Sequence, residues 1–243
     1  MRNTRSTLLT IAILLTAMSM YAQDANAILS KVDDVMFSPK DMSGKTKIVL
    51  IDKNGKEKTR EAIMVQKGTD KRIFRFTAPA SQDGIAVLSL PDDVMYLYLP
   101  AYGKERRIST SVKSQNFAGT DFSYDDMEAK PNSEKYTPKL IEARGDVFVL
   151  ELTPKSPKSP YSKIVMEVHA THYYPVSGDY YDKSGKVIKE ATSNYVKIGD
   201  YWNAQEMVMT DLKKNHTTRM IMSDVKYDQN LSDDEFTIRK LKQ

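Results

Sequence analysis

From residue 45 to residue 227 the chain is cut into short apolar runs, and nearly every run stops at Pro, Gly or Asp. TKIVL (46–50) is followed by Asn54-Gly55 and then REAIMVQ (60–66). Asn-Gly between two such runs is the strongest short hairpin signal, because both residues accept the positive φ of a tight turn. RIFRFT (72–77), IAVLSL (85–90), VMYLYL (94–99) and RRIST (106–110) follow, separated by Pro79, Asp83-Gly84, Pro91-Asp92 and Pro100. Further runs occupy 140–143, 147–152, 163–170, 173–174, 179–182, 186–192, 194–198, 201–211 and 217–227. The pattern predicts a meander of about eleven antiparallel strands, and a sheet of that size curls or closes. A half-open, strongly curved β-barrel is the expected fold class.

Two segments break the pattern. DANAILSKVDDVMF (24–37) repeats its apolar residues at helical spacing, with Asp24 placed to cap the start and Ser38-Pro39 to stop it. Residues 111–136 (SVKSQNFAGTDFSYDDMEAKPNSEKY) carry aromatics without a strand period. A segment of this length inside a compact domain is commonly functional or holds short helices. Ser123 is placed to cap one turn ending at Met127, and Ser232 another at residues 233–236. The front helix and the middle segment are expected to plug the open face of the sheet.

Residues 1–22 read as a secretory signal. Arg2 and Arg5 precede LLTIAILLTAMSMYA (8–22), which is short for a membrane span and ends in a small residue. Cleavage is expected near Ala22, leaving 23–243 as a single exported domain in the bacterial periplasm. The chain has no cysteine, which excludes disulfides, thiolate metal sites and a lipidated N-terminal cysteine. A transmembrane β-barrel fits poorly, since several runs are apolar on both faces and the terminal Lys-Leu-Lys-Gln lacks an aromatic end.

Motifs for chemistry are absent. Ser43-Gly44-Lys45-Thr46 matches the end of a P-loop, but the first glycine of that motif is replaced by Pro39. His169 and His172, three apart in a strand-like run, should face opposite sides and so cannot converge on a metal. The formal charge of +4 (36 basic, 32 acidic residues) is too small and dispersed for nucleic acid. No enzymatic activity, metal or cofactor is expected.

Residues 94–126 are the most informative. Arg106 and Arg107 follow an aromatic strand, and the next loop offers Phe117, Asp121, Phe122, Tyr124 and Asp125. One reading makes Phe117 and Phe122 an apolar plug, held down by Asp121 or Asp125 pairing with Arg106 or Arg107. The other makes the aromatics plain core and the charges a solvated rim.

Tyr96-Leu97-Tyr98-Leu99-Pro100, Arg106-Arg107-Ile108 and the stretch FAGTDFSYDD (117–126) together resemble the outer-membrane lipoprotein-sorting proteins of the LolA-like superfamily. Tyr201-Trp202 and the closing LSDDEFT (231–237) agree with this. Tyr102-Gly103-Lys104 is less basic than the corresponding loop of other members. The resemblance implies a half-open barrel around an apolar cavity, closed by helices and a lid loop. It also implies a periplasmic carrier of lipid or acylated lipoprotein, monomeric, with only transient membrane contact and an envelope transporter as a further partner. The alternative is a non-catalytic envelope interaction module partnering such a transporter. Alternation along the strands gives Phe74, Phe76, Leu88, Leu90, Tyr96, Tyr98, Phe148, Leu150, Met166 and Val168 as candidate lining residues, joined by Phe117, Phe122 and Tyr124 from the loop. The parity that faces the cavity stays open, because several strands are apolar on both sides.

Overall fold

The computed structural model describes residues 24–243. The export signal expected at 1–22 lies outside the described residues. Helix α1 (Ala25–Met36) begins where expected, with the Asp24 carboxylate accepting the Asn26 N–H at 2.9 Å. Its inner face buries Ile28, Leu29 and Val32 completely. Each such side chain contributes about 1.5–3 kcal/mol when removed from water.

Thirteen strands form one antiparallel sheet. They are β1 (Asp41–Ile51), β2 (Glu57–Lys67), β3 (Lys71–Ala78), β4 (Ala86–Leu90), β5 (Val94–Leu99), β6 (Lys104–Arg107), β7 (Tyr136–Arg144), β8 (Val147–Pro154), β9 (Lys163–His169), β10 (Pro175–Tyr181), β11 (Val187–Ile198), β12 (Tyr201–Asp211) and β13 (His216–Tyr227). The expected count of about eleven is therefore low. The run expected at 106–110 forms earlier, as Lys104–Arg107 paired at the sheet edge. The break expected near Ser193 is absent, since β11 runs through it with one register shift at Asn194/Tyr195. The hairpin at Asn54-Gly55 forms as read: Gly55 has φ +78°, and the Asp52 carboxylate accepts the Asn54 and Lys56 N–H groups at 2.9 and 3.0 Å.

The strand order is β6-β5-β4-β3-β2-β1-β13-β12-β11-β10-β9-β8-β7. Two meanders thus join through β1 and β13 at the middle, and consecutive strands β6 and β7 lie at opposite edges. The segment connecting them, residues 108–135, has to travel from one edge to the other. It does so across the front face, packing Ile108, Phe117, Phe122 and Met127 against Ile48, Phe74, Phe76 and Val87. It holds three one-turn helices, α2 (Thr110–Lys113), α3 (Tyr124–Met127) and α4 (Asn132–Lys135). Ser123 caps α3 with a reciprocal capping box to Asp126.

Helix α1 covers the other end of the same face, against Tyr136, Leu150, Leu152, Ile164 and Val168. It is tied to the crossing segment by Asp33, a buried carboxylate on its apolar side, which accepts the Asn132 and Ser133 N–H groups at 2.7 and 2.8 Å. The back face is covered locally. Phe236 and Leu241, from the capped turn Asp233–Phe236 and helix α5 (Ile238–Leu241), pack on Ile73, Ala86 and Leu88. Strands β3–β5 are apolar on both sides because both sides are buried. The sheet remains unclosed.

Candidate functional site

Between α1 and the crossing segment the front face is left uncovered by backbone, and a cavity of about 280 Å³ occupies the space. Its wall draws on β1–β3 as well as β9–β13. In a flat sheet Phe74 on β3 and Ile164 on β9 would stand roughly 34 Å apart. One cavity reaches both, so the sheet curls around it.

Nine of the ten methionines among the described residues line this cavity, Met95 being the exception. Register explains the concentration. Met207 and Met220 face each other across β12 and β13, and Met209 and Met222, two residues further along each strand, share their side of the sheet. Met64 lies opposite Gly44, and the Met222 methyl sits where a side chain at Gly44 would go, 3.2 Å from that position. Met36, Met42, Met127 and Met166 complete the set from α1, β1, α3 and β9. Unbranched thioethers fill irregular space and repack with little strain. Tyr180, Tyr195 and Trp202 add aromatic surface. Burial pushes the Tyr180 and Tyr195 phenols well up from their ordinary values.

Polar side chains gather on the part of the wall formed by residues 125–135, with Thr46, Gln66, Arg72, Thr192, Ser193 and Asn203 on the strands. Arg72 is partly buried, and desolvation lowers its pKa to about 10. Its guanidinium donates to Gln66 Oε1 at 2.5 and 2.9 Å and to the carbonyls of Met127 and Glu128 at 3.2 and 3.3 Å. Tyr227 donates to Asn203 Oδ1 at 3.0 Å. A second, polar pocket of about 340 Å³ adjoins the first, sharing Asp125, Glu128, Lys130, Lys135 and Tyr136 with it. Lys113 and Glu128 pair at 2.7 Å while almost fully buried, and Lys135 pairs with Asp125 at 2.7 Å. Lys155 and Lys158 lie at its outer side.

The expected latch is corrected by the structure. Arg106 and Arg107 sit exposed on edge strand β6, and Arg106 stacks over Tyr102 rather than meeting the loop. Asp121 points the other way, into the sheet. Its carboxylate receives the Thr218 hydroxyl at 2.7 Å and lies 2.6 Å from His216 Nδ1, while Lys189 donates to its carbonyl at 2.6 Å. Burial holds the Lys189 ammonium below its usual range. Asp125 pairs with Lys135. Arginines do hold the segment, but they are Arg60, which donates to the Ala118 carbonyl, and Arg72. Strand parity was the one sequence signal for this set: His216 and Thr218 lie two apart on one strand and so on one face.

The candidate lining residues divide by face. Phe74, Phe122 and Met166 line the cavity. Phe76, Phe117 and Tyr124 form an aromatic core beside it, with Phe117 stacked on Phe76 at 5.5 Å and edge-on to Tyr124 at 5.4 Å. Phe148, Leu150 and Val168 pack under α1. Leu88, Leu90, Tyr96 and Tyr98 lie on the back face with Phe236 and Leu241. His169 and His172 also differ from the expectation. Strand β9 stops at His169, whose Nδ1 accepts the Thr171 and His172 N–H groups at 3.2 Å, and the two rings stack at 4.7 Å.

A family model described as that of an uncharacterized protein matches residues 68–243. No curated protein matches the chain. Among solved structures, an outer membrane lipoprotein-sorting protein domain from Vibrio parahaemolyticus is 29% identical, covering 91% of this chain and all of its own, with a TM-score of 0.84. A family protein of unassigned role from Desulfovibrio piger is 27% identical over 90% of this chain and 98% of its own, TM-score 0.83. A LolA superfamily protein from Nitrosomonas europaea, 24% identical over 89% and 98%, shares the fold with a TM-score of 0.76. With the family match covering β3 to the C-terminal helix and the structural likeness extending over nearly all described residues, the chain belongs to the family of uncharacterized proteins whose model it matches, and it shares its fold with an outer membrane lipoprotein-sorting protein domain and a LolA superfamily protein.

Proposed function

We propose that the protein is a periplasmic carrier that takes an acylated molecule, lipoprotein or lipid, into the methionine-lined cavity and transfers it towards the outer membrane. The observation that carries this reading is the clustering of Met64, Met207, Met209, Met220 and Met222 around one void beneath the crossing segment. Among the described residues no helix is long and apolar enough to cross a membrane.

The energetics set the design problem. Each buried CH₂ is worth ~0.8 kcal/mol, so an acyl chain of ~16 carbons gains about 12 kcal/mol gross. A carrier with a rigid pocket could not let go. A void of about 280 Å³ lies at the small end for ligand sites, so a full chain enters only as side chains repack and residues 108–135 move outward. Those costs are deducted from the gross gain and allow release. The adjoining polar pocket, with five lysines on its wall, suits the head group of the same molecule.

The test is uptake of an apolar fluorophore by protein purified without detergent. Saturable uptake, displaced by a palmitoylated peptide or phospholipid and lost in Met220→Glu, is the expected result. Uptake unaffected by Met220→Glu would place the bound molecule elsewhere and overturn this assignment of the cavity.

A further inference from the structure

Two buried side-chain polar atoms among the described residues lack a hydrogen-bond partner, Thr46 Oγ1 and Arg75 Nε. Arg75 lies against the C-terminal helix on the back face. Thr46, 3% exposed, lines the cavity. Its neighbours offer nothing better than a weak acceptor. Ala62 and Met222 flank it across the sheet, and Gly44 and Ile48 share its face along β1. A hydroxyl stranded in apolar surroundings is costly, and valine would fill the same volume without that cost. The hydroxyl is therefore not explained by packing.

The surroundings also limit what it meets. Gln66, which holds Arg72, stands opposite Met42, four residues along β1 from Thr46 and so about 13 Å away. A carboxylate or phosphate at Thr46 would lose its hydration with no cation beside it. A neutral acceptor on a mostly apolar molecule suits the position.

Resting on the carrier reading, we infer that the cavity selects chains bearing a carbonyl group, an ester- or amide-linked acyl chain, whose oxygen accepts the Thr46 hydroxyl. Thr46 is then a specificity-determining residue, and the thioethers around it bind the hydrocarbon without regard to linkage.

The experiment compares dipalmitoyl phosphatidylglycerol with its diether analogue, which has the same head group and chain length but no carbonyls, as displacers of a bound apolar fluorophore. The parent protein is expected to prefer the ester lipid about tenfold. Thr46→Val should bring the ratio close to one while melting no lower than the parent, and Thr46→Ser should restore the preference. Equal affinities in the parent, or a preference that survives in Thr46→Val, would overturn this inference and leave the carrier reading standing. Failure of both lipids to displace the fluorophore would sink both. If the valine variant does not fold, the parent's own ratio and that of Thr46→Ala decide.

Discussion

Asp121 and His216, ninety-five positions apart in the chain, meet with Oδ2 2.6 Å from Nδ1, and the contact joins the crossing segment to β13. Asp121 is 1% exposed and also serves Thr218 and Lys189. Removing one member of such a buried set leaves the others unpaired. Asp121→Ala is expected to lower unfolding free energy by about 3 kcal/mol, measured by urea denaturation. Arg106→Ala and Arg107→Ala, on the exposed edge, should each cost less than about 0.5 kcal/mol. A large loss in either arginine variant would revive the latch first expected from the sequence.

Arg60 and Arg72 are predicted to set how readily residues 117–128 leave the sheet. Arg72→Met would strand Gln66 Oε1 and the carbonyls of Met127 and Glu128, at a cost of about 3 kcal/mol. Arg60→Met frees only the Ala118 carbonyl. Hydrogen exchange should then quicken at residues 117–122 with little change in β8 and β9. Uniform quickening throughout would show that the segment does not open by itself.

The methionine wall should tolerate reshaping better than deletion. Met207→Leu and Met220→Leu conserve volume and are expected to cost under about 1.5 kcal/mol each. Met220→Ala enlarges a void beside a fully packed face and should cost about 3 kcal/mol. Thermal or urea unfolding of the three variants distinguishes the cases.

Alkaline pH should unfold the protein through its buried phenols. Burial raises Tyr136, Tyr161, Tyr180 and Tyr195 above the ordinary value of 10.0, and Tyr227 to about 12. A raised folded value gives stability that is complete below pH 10 and is lost as pH climbs towards the folded values, because only the unfolded chain can release those protons. Titration at 295 nm, followed together with circular dichroism, should show these phenols ionising late and in step with unfolding. Early ionisation of all tyrosines with the fold intact would contradict their burial.

What could be read from the sequence follows from which interactions are local. Helix α1, the Asn54-Gly55 hairpin and the caps at Ser123 and Ser232 depend on neighbours in the chain, and all formed as read. Phe117 and Phe122 were legible as aromatics with no strand to occupy, and they pack on the sheet. The partner of Asp121 was not legible, because it depends on β11 and β13 lying next to β12, a register set by the whole sheet. The lining residues failed for a related reason. Leu88, Tyr96 and Tyr98 are as apolar as Phe74, and only the C-terminal helix reveals that they belong to the back face. Of the nine methionines that line the cavity, only Met166 stood among the candidates read from the sequence, since register alone brings Met207 to Met220.

The central claim is that this cavity holds an acyl chain in the cell. The most direct measurement is mass spectrometry of the organic extract from protein purified out of the native periplasm without detergent. The account predicts a lipid or acylated peptide at close to one molecule per chain, lost from Met220→Glu. A clean extract from the parent protein, together with no uptake of added lipids, would contradict it.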